Sequence, residues 1–186
     1  MTVKSLLTIL LGGVLVNNYV FQKFLGVTPF LGNSKKECRA FGVGAAVAVV
    51  MLLTALIAWP VQTFILDKLS AGYLQTLVFV IIVLVVVYLA ELFVNKVMKK
   101  SLGVYFPLIA LNSAVLGIAV NNAADGYNFI EALVASLGAG LGFLLAMVVF
   151  SGVRRRINEQ FVPAAFRGLP ITLLAAGIIS LALYAF

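Results

Sequence analysis

Long apolar runs alternate with short polar breaks along the whole chain, and this pattern predicts its secondary structure. Six runs are evident, near residues 5–22, 40–60, 72–94, 103–122, 129–150 and 168–185. Each is close to the ~20 residues that a helix needs to cross ~30 Å of hydrocarbon. The breaks contain turn residues or charges, and Trp59-Pro60 closes the second run. The pattern therefore predicts an all-α integral membrane protein with six transmembrane helices.

The first run is followed by an apolar extension that a straight helix does not explain. Phe24–Leu31 continues the run, but it contains Gly26 and Pro29, and Gly32 follows it. Glycine and proline both disfavour a helix interior. We therefore expect a bent or re-entrant segment after the first helix.

Composition excludes a soluble fold. Hydrophobic residues make up 63% of the 186 residues and charged residues 10%, with a mean hydropathy of +1.17. Soluble domains typically have ~25% charged residues, so this chain lacks the side chains for a water-compatible surface. We expect a single membrane domain over residues 1–186. The basic residues lie in short runs between spans, a pattern that indicates membrane orientation rather than nucleic-acid binding.

The charges predict an orientation in the membrane. All 13 Lys and Arg residues except Lys4 and Lys68 belong to connections 1–2, 3–4 and 5–6, counting the adjoining helix ends. Cytoplasmic loops of membrane proteins carry an excess of Lys and Arg. These three connections are therefore predicted to be cytoplasmic and both termini to lie outside, together with Asp67, Asp125 and Glu131.

Two of the apolar runs contain polar residues at positions where lipid-facing helices have Leu or Val. Asn17-Asn18 lies in the first run and Asn112-Ser113 in the fourth. An amide without a hydrogen-bond partner in hydrocarbon costs several kcal/mol, so such residues usually face protein or an ion path. Asn17, Asn18 and Asn112 either line an ion or electron path or connect helices as buried hydrogen-bonding groups. We interpret Asn121-Asn122 as the outer end of the fourth helix.

The same layout suggests an internal repeat. Asn17-Asn18 and Asn112-Ser113 are separated by nearly the same distance along the chain as Gly42-Val43-Gly44 and Gly138-Ala139-Gly140. Two three-helix units in one chain must insert with opposite orientation, and such inverted repeats place a shared site at interrupted helices near the midplane. We expect repeats at about 1–100 and 101–186, although chance similarity among apolar sequences is the competing explanation.

No catalytic site is visible in the sequence. The chain has no histidine, and its single cysteine, Cys38, lies beside cytoplasmic lysines, where a reduced thiol is the ordinary state. No spacing indicates a metal site. The glycines at 138, 140 and 142 have a GxxxG spacing, which predicts close helix packing.

Several strings, in order along the whole chain, resemble the RnfA family. They are Leu15-Val16-Asn17-Asn18, Lys23 to Gly32, Ser34-Lys35-Lys36, Leu102 to Ile109, Asn112 to Gly117, Tyr127-Asn128-Phe129 and Val162 to Gly168. The resemblance implies a bacterial inner-membrane component of an Rnf-type ion-translocating ferredoxin:NAD oxidoreductase, related to the E subunit of the sodium-translocating NADH:quinone reductase. It also implies six helices in inverted repeats. The implied partners are a homologous, oppositely oriented subunit (RnfE-like) and the other Rnf-type subunits, with the redox chemistry in bound cofactors.

The sequence departs from the family pattern at two positions. The family has cysteines, which share a [2Fe–2S] cluster with the partner, where this chain has Thr28 and Ser113. Thiolates bind iron well, and neutral hydroxyls are poor substitutes. We therefore expect no cluster on this chain. Three explanations stay open: a cluster-less paralogue acting as a stand-alone inverted-repeat transporter or membrane scaffold, a relative that moves electrons by another route, and a deliberately altered sequence.

Arg154, Arg155 and Arg156 close the fifth run. We interpret them mainly as a topology anchor. They are also candidates for docking a cytoplasmic subunit or anionic lipid.

Overall fold

The computed structural model describes residues 3–27, 37–68, 72–98, 112–158, 160 and 162–184, and in these ranges the protein is helical with no strand. Its helices are α1 (Val3–Leu11), α2 (Glu37–Val61), α3 (Gln75–Met98), α4 (Ser113–Ala124), α5 (Phe129–Arg156) and α6 (Leu169–Tyr184). Wider π-helical turns at Gly12–Val16 and Gln62–Leu66 extend α1 and α2. Short 3₁₀ turns lie at Gly72–Leu74 and Ala164–Phe166.

Three stretches are long and apolar enough to cross a membrane. They are Ala40–Leu66, Gly72–Leu92 and Phe129–Arg156. Shorter apolar helices occupy Lys4–Val14, Ser113–Ala124 and Leu169–Ala182. The prediction of an all-α membrane protein is confirmed, and each of the six predicted runs contains one of these helices. That the three shorter helices also cross the membrane stays a prediction.

Two of the predicted runs are not continuous helices. The first leaves helical geometry at Asn17, and turns follow as far as Gly26, with positive φ at Phe24 (52°) and Gly26 (76°). In the fourth run, Asn112 is extended (φ −77°, ψ 110°) and α4 begins only at Ser113. Asparagine interrupts helices because its side chain can take over backbone hydrogen bonds. The predicted bend thus begins seven residues before Phe24, and its part from Thr28 onwards lies outside the described residues.

Contrary to the prediction, Trp59-Pro60 does not end the second helix. α2 continues through Pro60 to Val61 and then into the π turn Gln62–Leu66. Proline removes a backbone donor and crowds the preceding turn, but helices in membrane proteins tolerate it. In the turn after Pro60, the Thr63 hydroxyl donates to the Trp59 carbonyl oxygen at 3.1 Å. The Trp59 indole donates to the Tyr127 carbonyl oxygen at 2.8 Å, which ties α2 to the α4–α5 turn.

α5 is the central helix, and its small residues let its neighbours approach closely. A Cβ atom at Gly138 would lie 2.7 Å from the carbonyl oxygen of Leu10 in α1. A Cβ atom at Gly140 would lie 2.9 Å from the Cα atom of Ala48 in α2. The predicted close packing at this glycine face is confirmed. The largest fully buried side chains of the core include Phe79, Phe143, Phe150, Met51 and Met147.

In contrast to α5, the helices α3 and α6 expose many of their apolar side chains. In α6, Ile178 is 67% exposed and Leu181 75% exposed. In α3 the exposed large apolar side chains are Leu77, Val80, Ile81, Leu84, Val85, Tyr88, Leu89 and Leu92. Apolar faces of this extent suit lipid or another membrane subunit rather than water.

Candidate functional site: a polar junction between interrupted helices

Asn18 lies at the end of the first helix and is 3% exposed. Its Nδ2 donates to the carbonyl oxygen of Gly142 in α5 at 2.9 Å and to that of Val14 at 3.2 Å. Its Oδ1 accepts the backbone N–H groups of Val20 at 2.9 Å and of Phe21 at 3.3 Å. The side chain thereby replaces the hydrogen bonds that the chain loses where it leaves the helix, and joins that break to α5.

Asn17 has a different role from its neighbour. It is exposed, and its backbone N–H closes the π turn by donating to the Gly12 carbonyl oxygen at 2.6 Å. The Asn17 side chain lines a cavity of 520 Å³ beside the junction. Of the two adjacent asparagines, Asn18 is therefore the buried structural residue, and Asn17 is the one available to a solute.

Asn112 and Ser113 form the other half of the junction. Asn112 is 2% exposed and caps α4, because its Oδ1 accepts the Ala114 N–H at 3.0 Å. The Ser113 hydroxyl accepts the backbone N–H of Gly26 at 2.8 Å. A Cβ atom at Gly26 would lie 2.8 Å from Asn112 Oδ1 and 2.6 Å from the Phe143 ring, so this close approach requires glycine.

The Asn112 side chain is only half satisfied. Its Nδ2 is buried and has no hydrogen-bond partner among the described residues. A buried donor without an acceptor costs about 1–3 kcal/mol. Within the described part of the chain, this amide donor is therefore unused, which makes Asn112 the predicted site residue best placed to contact a group that the described residues do not supply.

Asn121 and Asn122 lie in the last turn of α4, as the sequence predicted, and they also join the hydrogen-bond network of this region. Asn121 Nδ2 donates to the Tyr19 hydroxyl at 2.8 Å. Asn122 is 7% exposed, and its Nδ2 donates to the Ala132 carbonyl oxygen at 3.2 Å and to Ser136 Oγ at 3.0 Å. Their burial follows from the packing of α4 against α5, which the apolar pattern alone does not specify.

Lys23 lies beside this region. It lines the 520 Å³ cavity, together with Asn17, Tyr19, Asn121 and Asp125. The Lys23 ammonium lies 4.7 Å from the centre of the Tyr19 ring. A basic and an acidic residue that the charge pattern assigned to opposite sides thus line one cavity, and the membrane side of Lys23 stays a prediction.

The resemblance implies cluster ligands at the positions of Thr28 and Ser113, and the structure describes only Ser113. Thr28 lies outside the described residues. Ser113 lies against Gly26, two residues before Thr28, but it offers a hydroxyl that is engaged with a backbone N–H. Among the described residues, no three His, Cys, Asp or Glu side chains are grouped as a metal site. The Ser113 hydroxyl is a poor iron ligand, because hydroxyl groups stay neutral near pH 7 and bind iron poorly.

The three arginines lie apart from the junction. Arg154, Arg155 and Arg156 form the last turn of α5. Cationic side chains are favourable at a helix C-terminus because of the partial negative charge there. Docking of a cytoplasmic subunit or lipid at these arginines stays a prediction.

Together these features define a class: a helical integral membrane protein in which a helix that ends near Asn17 and a helix that begins after Asn112 meet a third at a buried amide-rich junction. A family model described as "Rnf-Nqr subunit, membrane protein" matches residues 6–186. The chain belongs to this Rnf-Nqr family of membrane subunits.

Curated relatives match over nearly the whole chain. The A subunit of the ion-translocating oxidoreductase complex of Syntrophotalea carbinolica is 46% identical over 186 residues, covering 98% of this chain and 96% of the relative. The A subunit of the Na(+)-translocating ferredoxin:NAD(+) oxidoreductase complex of Acetobacterium woodii is 46% identical over 185 residues, with the same coverage. The corresponding A subunit of an ion-translocating oxidoreductase complex of Escherichia coli is 44% identical over 183 residues, covering 97% and 95%.

Proposed function

We propose that this chain is the A-type membrane subunit of an Rnf-type ion-translocating ferredoxin:NAD oxidoreductase complex. The observation that carries the proposal is the 46% identity, over 98% of the chain, to relatives bearing such names. The chain supplies helices and a polar junction, and the redox chemistry resides in cofactors held by partner subunits.

The proposed arrangement is six membrane spans in two inverted repeats, with both termini outside the bacterial inner membrane. Two breaks within predicted apolar runs support it, the end of the first helix at Asn17 and the late helix start at Asn112, because inverted-repeat proteins place their site at broken helices. In a Cys38→Ser background, the single substitutions Asn158→Cys and Asp125→Cys test the orientation. An impermeant thiol reagent added to intact cells should label only the Asp125→Cys variant, and labelling of Asn158→Cys instead would reverse the proposed orientation.

We further propose that the chain pairs with a homologous, oppositely oriented subunit (RnfE-like) and that the pair forms the transmembrane electron and ion path. The exposed apolar face of α3 supports a membrane-embedded contact. A photo-crosslinking residue at Leu84 should capture a membrane subunit of the complex, whereas one at Ile130, outside α3, serves as a control. Equal capture by both would contradict an α3 interface.

For the cofactor, we propose that this chain contributes no ligand to a [2Fe–2S] cluster. The support is chemical: Thr28 and Ser113 carry hydroxyl groups, and the Ser113 oxygen already accepts the Gly26 N–H. Iron analysis and EPR of the purified, reduced complex test this. Substituting Ser113→Ala should leave the iron content and every [2Fe–2S] signal unchanged, and loss of a signal would refute the proposal.

A second function is favoured by the same missing thiols: a cluster-less paralogue that works as a stand-alone inverted-repeat transporter or scaffold. Deleting the gene discriminates the two. The complex-subunit function predicts loss of membrane ferredoxin:NAD activity and of the coupled ion uptake, with recovery on complementation. Retention of both activities would favour the stand-alone function.

A further inference from the structure

The 520 Å³ cavity lies between α1, the turns after Asn17 and the end of α4, and two opposite charges line it. They are Lys23 and Asp125. Both residues are exposed, and neither forms an ion pair with any of the described residues. A cavity of this volume is large enough for a small organic ligand. Its two charges are therefore available to a ligand that carries both signs.

Lys23 is held by an aromatic ring rather than by a carboxylate. Its ammonium lies 4.7 Å from the centre of the Tyr19 ring, within the range of a cation–π interaction. Tyr19 is itself fixed, because its hydroxyl accepts a hydrogen bond from Asn121 Nδ2 at 2.8 Å. A ring face does not neutralise the charge of an ammonium, which has three N–H donors. Lys23 therefore keeps donors for an anionic group of a ligand.

Asp125 lines the same cavity from the end of α4. Its backbone N–H donates to the Asn121 carbonyl oxygen at 2.8 Å, so Asp125 lies one helical turn beyond the amide that fixes Tyr19. Tyr127 lines the cavity as well, and its pKa is raised by burial and then by the nearby Asp125 charge. The Tyr19–Asn121 hydrogen bond thus connects the cationic and the anionic parts of the cavity wall.

The surroundings of the cavity favour a lipid over a soluble ligand. Tyr127 lies just before Phe129, where a membrane span begins, and tyrosine is enriched at the depth of lipid headgroups. On the other side, Val16 lines the cavity and is exposed. Leu7 and Leu11, one turn apart on α1, are also exposed. A molecule with a charged head and apolar chains therefore matches both the cavity and the adjoining α1 surface.

We propose that this cavity binds the headgroup of a zwitterionic phospholipid, phosphatidylethanolamine, with its phosphate at Lys23 and its ammonium at Asp125. Basic pockets between membrane helices bind lipid phosphates. Here the carboxylate also accepts hydrogen bonds from a primary ammonium and disfavours a lipid of net negative charge. Choline is a poorer match because a quaternary ammonium has no N–H to donate. The site goes beyond the proposed function and does not depend on it.

Native mass spectrometry tests the proposal, with the full-length chain delipidated in detergent and titrated with one lipid at a time. We expect saturable binding of phosphatidylethanolamine and weaker binding of phosphatidylglycerol. Lys23→Gln should weaken phosphatidylethanolamine binding about tenfold or more, as expected for the loss of one hydrogen bond to a charged group. Asp125→Asn should weaken it by a similar factor. It should also shift the preference toward phosphatidylglycerol, because the charge that disfavours an anionic lipid is removed.

Lys68→Gln is the matched control. The Lys68 ammonium also lies over an aromatic ring, 5.6 Å from the centre of the Phe64 ring, but neither residue is among those that line this cavity. The control should change the affinity by less than about twofold, since exposed charges contribute little. Misfolding cannot mimic the expected result for Asp125→Asn, because a misfolded chain would lose both lipids rather than change its preference.

Three results would overturn the site: equal binding of the two lipids by the wild type, equal weakening by Lys23→Gln and Lys68→Gln, or an unchanged preference in Asp125→Asn. Displacement of the lipid by an equal concentration of soluble phosphoethanolamine would assign the cavity to a soluble zwitterion and overturn the assignment to lipid. The assay uses the isolated chain, so its outcome is independent of the ferredoxin:NAD activity that tests the proposed function.

Discussion

Substituting Asn18→Leu tests how the broken first helix is held. Leucine is similar in size to asparagine but offers neither donor nor acceptor. The substitution leaves the backbone N–H groups of Val20 and Phe21 without the oxygen that accepts them. The carbonyl oxygens of Val14 and Gly142 also lose a donor.

The expected magnitude follows mainly from the Val20 N–H, which loses the acceptor that the described residues give it. A buried N–H left unpaired costs about 1–3 kcal/mol, and the lost bond from the Phe21 N–H adds about 0.5–1.5 kcal/mol, so the destabilisation should be about 1.5–4.5 kcal/mol. If Asn18 were only a hydrogen-bonding contact between two helices, the cost would be ~0.6 kcal/mol. The two roles therefore differ by more than the error of an unfolding measurement.

Denaturant unfolding of the full chain in detergent micelles, followed by the fluorescence of its single tryptophan, measures this difference. Asn17→Leu is the matched control, because Asn17 is adjacent but exposed and bonds Gly12 through its backbone. The control should stay within about 0.5 kcal/mol of the wild type. Equal stability of the two variants would refute the assignment of Asn18 as the residue that terminates the helix.

The remaining predictions concern packing, the outer turn and pH. Gly142→Ala should destabilise the protein strongly, because the new Cβ would lie 2.7 Å from the Gly13 carbonyl oxygen, whereas Gly152→Ala on the same helix meets nothing within 4 Å and should be neutral or stabilising in the same unfolding assay. Trp59→Phe should cost about 1 kcal/mol in a circular-dichroism melt, since the indole bond to the Tyr127 carbonyl oxygen is lost; an unchanged melt would contradict that role. Burial, followed by the charge of Asp125, raises the pKa of Tyr127. A pKa that is higher in the folded protein gives stability that is present below the unfolded pKa of about 10 and is lost as pH rises through the folded value. Tyr127→Phe should therefore flatten the loss of stability above pH 10, and an unchanged pH profile would argue against this cause.

The asparagine pairs show how far the sequence could lead to the site. Polar residues inside apolar runs identified Asn18, Asn112 and Ser113, because burying an amide in hydrocarbon requires a reason. Asn17 and Asn18 could not be distinguished in this way, because position within an apolar run does not indicate the direction in which a side chain points. The structure separates them: one is exposed and the other bonds α5.

Gln62 and Asn122 show what sequence reasoning missed. Both lie near the ends of apolar runs, where a polar residue is ordinary and carries no signal. Both line one cavity, and each has a buried amide oxygen without a partner among the described residues. The Asn122 amide donates to Ser136 Oγ, fourteen residues away along the chain. This contact depends on the packing of α4 against α5, so the sequence alone does not reveal it.

The sequence alone determined that the protein lies in a membrane, because 63% of its residues are hydrophobic. It thereby also determined the helical secondary structure, because backbone groups in hydrocarbon have to form hydrogen bonds within helices. It also determined that α5 packs closely, because its glycines leave no side chain between backbones. Only the tertiary structure decided where the helices break, that Lys23 and Asp125 line one cavity, and that helical turns continue beyond Pro60. These depend on partners distant in sequence, such as the Gly142 carbonyl oxygen for Asn18, whose distances the order of residues does not specify.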